Sequence, residues 1–210
     1  MQYFKQFEKH LTNNDYSNFM NLWEEYCAGD EIEGEEMRHI LELVRPTSFA
    51  VPFGKYVDQG LMIWGTLEKD EVSHTIFKLI TDLQTTNEEK LADQIIEYIK
   101  EKFGSVEDFD QKIKLVGLRE KQDFQGAVSN FELLCHLKVG NFVYHNSGWG
   151  VGEIMDVSFL REQISLEFDY VAGRKDLSFS NAFRTLIPIS NEHFLARRFS
   201  NPDAFEAYAK

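Results

Sequence analysis

An α+β fold is predicted: a helical array to about residue 136, then a small barrel of five short strands, then C-terminal helices. Three observations predict it. Apolar residues up to Cys135 recur at the three-and-four spacing of a helix face. From residue 139 the period changes to two, and the stretch VGNFVYHNSGWGVGEI sets glycines between two alternating runs. Beyond residue 190 the spacing is helical again.

In the first part, Tyr16, Phe19, Met20, Trp23 and Cys27 form one apolar stripe, and Met37, Ile40, Leu41 and Val44 another. The stretch TSFAVPFGKYVDQGLMIWG is the least regular. It is expected to be a core helix entered through Pro52, which suits a first turn, with an inter-helix groove around Phe49, Phe53, Tyr56 and Trp64 as the other reading. Val72, Ile76, Leu79, Ile80 and Leu83 follow, then Leu91, Ile95, Tyr98 and Ile99, opened by a Thr86/Glu89 capping box and closed by Gly104. Ser105 is placed to cap a helix beginning near Val106, and Phe124, Val128, Phe131 and Cys135 make the last stripe. Such helices need neighbours to bury their stripes, so stacked hairpins in the manner of HEAT or TPR repeats are expected.

In the strand region Phe142 and Tyr144 share one face while Val143 and His145 share the other. Gly148, Gly150 and Gly152 sit where a turn and close packing leave no room for side chains. Alternation continues through Val157, Ile164 to Tyr170, Leu177 to Phe179, and Leu186 to Ile187, the strand count of an SH3-like or Tudor-like barrel. Residues 190–210 read as helix, with Pro202 at a first turn. The stripe of Ala204, Phe205 and Tyr208 runs to the last residue without a stop signal, so Met1 is expected to be a true beginning and the chain to continue past Lys210. The expected domains are 1–136, 137–189 and 190–210.

An apolar share of 43% with 14% aromatic residues is enough for hydrophobic cores in a chain of 210 residues. No signal peptide or spanning segment is present, which points to the cytoplasm. Cys27 and Cys135, the only cysteines, have no metal-ligand spacing. The net charge of −13 is unevenly spread. Residues 1–136 hold 14 Lys and Arg against 26 Asp and Glu, and residues 137–210 hold 8 against 9. The acidic first part repels phosphate backbones and suits a protein partner.

None of the six histidines lies in a nucleophile-base motif, and P-loop, HExxH and GxGxxG patterns are missing. No catalytic residue, cofactor or metal is assigned. GWGVG joins two strands with no helix start behind it, so it reads as a hairpin turn rather than a phosphate loop. Asp30, Glu31, Glu33 and Glu35 lack EF-hand spacing and read as a solvated acidic linker. Arg161, Arg174, Lys175, Arg184, Arg197 and Arg198 fall in the last third. Either some of them share a face with Tyr144, His145 and Trp149 as a basic-aromatic patch, or Trp149 covers the barrel mouth and the arginines are scattered.

Val139 to His145 with Gly148 to Gly152 resembles the module shared by CarD-like transcription regulators and the transcription-repair coupling factor, and also the Tudor-like barrel of UvrD-type helicases. The chain as a whole, from MQYFKQFEKHL to LIPISNEHFLARRFSNPDAFEAYAK, is similar to the N-terminal extension of long-form Gre transcript-cleavage factors. The resemblance implies a non-catalytic docking region that engages RNA polymerase, through its β subunit if the barrel acts as the CarD module does. An exposed strand, residues 163–170 or 175–179, would pair with the polymerase. Tyr144, His145, Trp149, Arg161, Arg174 and Phe179 are the expected partner-binding residues. The alternative implied by the UvrD likeness is a barrel that binds nucleic acid. No small-molecule substrate and no membrane partner are expected.

Overall fold

The computed structural model describes residues 2–29 and 32–203. The chain divides into two compact units between Ser129 and Asn130.

The first unit is helical. Its elements are α1 (Gln2–Thr12), α2 (Tyr16–Cys27), α3 (Gly34–Val44), α4 (Ala50–Phe53), a 3-10 turn (Gly54–Tyr56), α5 (Val57–Trp64), α6 (Glu71–Leu83), α7 (Glu89–Phe103), α8 (Phe109–Leu115) and the start of α9 (Ala127–His136). The stripes of α2, α3 and α6 build one core with Phe7, Phe49 and Phe53. Within it Trp23 meets Phe53 edge to face at 4.9 Å, and Phe7 meets Phe19 at the same separation. Asp15 and Asp70 cap α2 and α6 through the N–H groups of Asn18 and Ser73. From α3, buried Glu36 reaches back to accept the Phe4 N–H in the first turn of α1 at 3.1 Å.

Three local expectations are corrected. The Pro52 segment is a short helix, a 3-10 turn and α5, rather than one helix, with Phe49 and Phe53 in the core. The α7 N-cap is Glu88 without a side-chain hydrogen bond, so no capping box forms at Thr86. The next helix begins at Phe109 rather than near Val106, with Asp108 at its N-cap position at φ 55° and without a capping side-chain hydrogen bond.

The second unit holds β1 (Phe142–His145), β2 (Gly150–Ser158), β3 (Gln163–Phe168), β4 (Lys175–Ser178), α10 (Phe179–Thr185), β5 (Leu186–Ile189) and α11 (Phe194–Ser200). All strands pair antiparallel in the order β4-β3-β2-β1-β5: a four-strand meander whose fifth strand returns to β1. Residues 154–156 of β2 carry a bulge opposite β3. Val143, Ile154, Leu166 and Phe168 are buried. Phe142 and Val151, on the other face, pack with Ala196, Leu195 and Phe199 of α11.

Two glycines are required by geometry. Gly150 sits at φ 81°, and a Cβ there would lie 1.9 Å from the Asp169 carboxylate. A Cβ on Gly152 would lie 2.6 Å from the Phe168 ring. The α+β expectation is met: a helical first part precedes a small five-stranded antiparallel sheet, open between β4 and β5 among the described residues. Ala204, Phe205 and Tyr208, Asp30 and Glu31 lie outside the described residues. No described helix is long and apolar enough to cross a membrane.

Candidate protein-docking surface

The two outer strands offer a partner different things. On β5 the Asn146 N–H bonds the Thr185 carbonyl, so alternation turns Ile187 and Ile189 toward β1 and the main chain of Leu186 and Pro188 outward. Pro188 has no N–H, and the Leu186 N–H is already bonded to the Ala182 carbonyl. That edge therefore lacks free donors along β5.

β4 is the open edge. Its partner β3 receives it from Gln163↔Ser178 to Leu166↔Lys175, and the Phe179 N–H donates to the Glu162 carbonyl at 2.8 Å. Alternation then directs Leu177 and Lys175 main-chain groups at β3 and those of Asp176 away from the sheet. The Asp176 carboxylate accepts the Ser165 hydroxyl, which orders the strand from its inner side. The candidate edge at 163–170 is overturned, because β3 lies between β2 and β4.

The far end of the meander gathers the glycine turn, residues 146–149, against the loop after β3. Asp169 N–H donates to the Val151 carbonyl at 3.0 Å, and Asp169 Oδ1 accepts the Val151 N–H at 2.9 Å. His145, only 4% exposed, stacks on Trp149 at 4.4 Å and 9° and meets Phe168 edge to face at 5.6 Å. Its Nδ1 accepts the Ser147 N–H at 3.2 Å, and burial holds its pKa below the usual imidazole value. It is a neutral strut under Trp149.

The six expected partner residues do not share one face. His145 and Trp149 adjoin, and exposed Arg174 directly precedes β4. Tyr144 is half-buried on the opposite sheet face beside the α11 cluster. Arg161 lies in the β2–β3 turn, at the other end of the strands. Phe179 opens α10 with its ring 2% exposed and packed on Phe159 at 5.3 Å. Tyr170 was not among them, yet it is 66% exposed at the glycine-turn end. Arg198 of α11 donates to both the Tyr170 hydroxyl and the Asp169 carboxylate, each at 3.0 Å, which raises the arginine's pKa. No local pattern signals that pairing, because its partners lie 28 and 29 residues apart.

The chain is similar to part of two transcription elongation factors. It is 42% identical over all of its 210 residues to the transcription elongation factor GreA of Chlamydia pneumoniae, and 42% identical over 200 residues to GreA of Chlamydia trachomatis serovar D. The matches cover 100% and 95% of this chain but only 29% and 28% of those proteins, so it spans less than a third of their length. The likeness to Gre factors read from the sequence is thereby borne out. No family model matches the chain, and no solved structure does.

Proposed function

We propose that this chain is a docking region of a transcription elongation factor, that it binds RNA polymerase in the cytoplasm, and that it performs no chemistry itself. Similarity of the whole of this chain to less than a third of GreA supports the setting. The observation that carries the docking mode is the open β4 edge, Lys175–Ser178, in contrast to the opposite β5 edge, which Pro188 blunts. Adding a strand of the partner to β4 satisfies main-chain groups on both sides, which gives affinity with little dependence on side chains. The polymerase β subunit is the surface that the CarD-like likeness implies. Exposed Arg174 and half-buried Lys175, next to the edge, would steer and orient the encounter rather than add much affinity, since exposed ion pairs contribute only about 0–1 kcal/mol each.

The test is Asp176→Pro. Proline there removes an outward N–H and leaves the Leu177 and Lys175 bonds to β3 in place, and Asp176→Ala, which removes only the carboxylate that accepts the Ser165 hydroxyl, is the control expected to keep its affinity. Affinity of the chain for core polymerase, read by biolayer interferometry, is expected to fall about tenfold while the thermal midpoint stays within a few degrees. Unchanged affinity in a folded variant rules the strand-addition mode out. Binding to single-stranded RNA that drops steeply with salt and is lost in Tyr170→Ala would instead establish the nucleic-acid reading.

A further inference from the structure

In the helical unit, a groove of about 390 Å³ lies between the start of α3 and the link that leads into α6. Its floor is apolar: Leu67 and Val72 pack beside Gly34, whose missing Cβ would stand 3.5 Å from the Val72 Cγ1 and 3.8 Å from the Leu67 Cδ1. Its rim is acidic, with Glu33 and Glu35 on one wall and Glu68 and Asp70 on the other. Among the described residues no Lys or Arg lines it. Asp70 is occupied with the Ser73 N–H and Glu35 with Arg38, whereas Glu33 and Glu68 have no ion pair among the described residues. Adjacent Lys69 is turned elsewhere, 3.5 Å above the Trp64 ring with its ammonium donating to the Trp64 carbonyl at 2.8 Å.

We propose that this groove binds a basic segment of another protein, in which an Arg or Lys alternates with aliphatic residues. The complementarity is twofold. The aliphatic stem of Arg or Lys covers the Leu67 and Val72 floor while its charged head reaches the Glu33 and Glu68 carboxylates on opposite walls. The volume exceeds one side chain, so an extended run of two or three residues fits. A small cation would satisfy the rim and leave the floor bare.

The probe is a fluorescein-labelled Leu-Arg-Leu-Arg-Leu peptide titrated with the whole chain in a fluorescence anisotropy assay, beside the same peptide with citrulline for arginine. The arginine peptide is expected to bind at least tenfold tighter. Glu33→Gln with Glu68→Gln should weaken it about tenfold, as the loss of two charge-assisted contacts requires. Glu97→Gln with Glu120→Gln removes the same charge from exposed sites outside the groove and should leave the affinity within twofold. Equal weakening by both pairs would show a general acidic field and overturn the site. Equal binding of the two peptides would overturn it as well, as would calcium binding sensitive to Glu33→Gln with no peptide bound.

Discussion

His145 is 4% exposed between Trp149 and Phe168, and desolvation makes its protonated form costly. Its folded-state pKa lies below the ordinary 6.5, so on acidification the unfolded chain takes up the proton first. The stability this ring contributes is complete above about pH 6.5 and falls as the pH drops below that value. Urea midpoints measured near pH 7 and pH 5 should therefore show a smaller acid loss in His145→Phe than in the parent chain. An equal loss would mean that the ring is solvated in the folded state. Cys27 shows the same physics from the other side: burial pushes its thiol up to about 12, which keeps it protonated and unreactive at neutral pH.

At the scale of elements, β2 and β3 are joined through a contact that a glycine permits. Gly152↔Phe168 are register partners, and the Phe168 ring occupies the space above Gly152. Gly152→Ala should cost about 1–3 kcal/mol, read as a lower denaturation midpoint, because a Cβ 2.6 Å from that ring forces the ring or the strand to move. A neutral result would mean the ring moves freely. The β1–β2 hairpin that sets Gly152 in place was legible in the sequence because both of its signals are local: a period of two and glycines at the turn. The stripes of α3 and α6 were legible for the same reason. The two helix starts that were missed have different causes, one of them a distant contact. At Thr86 the preceding link is tied by the Thr85 N–H to the Gly54 carbonyl, so the chain is still extended where a capping box would form. Near Val106 the Lys112 ammonium donates to the Glu107 carbonyl, and Asp108 sits in the left-handed region at φ 55°, where an α-helix cannot continue, so α8 begins at Phe109. Phe179 continues the strand pattern in sequence, yet the Ser178 hydroxyl accepts the Asn181 N–H and starts a helix there.

At the scale of the whole molecule, the chain divides into an acidic helical unit and a nearly neutral sheet unit, and the two proposed surfaces follow that division. The helical unit offers carboxylates over an apolar floor, suited to a basic segment. The sheet unit offers main-chain groups along β4, suited to a strand. The partner faces were less legible than the fold because they depend on which strand ends up outermost. The order β4-β3-β2-β1-β5 follows from β5 returning to β1, a pairing of residues more than 40 positions apart. The candidate residues chosen by type, such as Phe179 and His145, were aromatic because the core needed them. The most direct test is hydrogen exchange of the whole chain, alone and bound to core RNA polymerase, followed on peptides covering Lys175–Ser178 and Leu186–Ile189. The account predicts that exchange slows across β4 on binding while β5 is unchanged. Equal exchange at β4 with and without polymerase, or protection confined to β5, would contradict it.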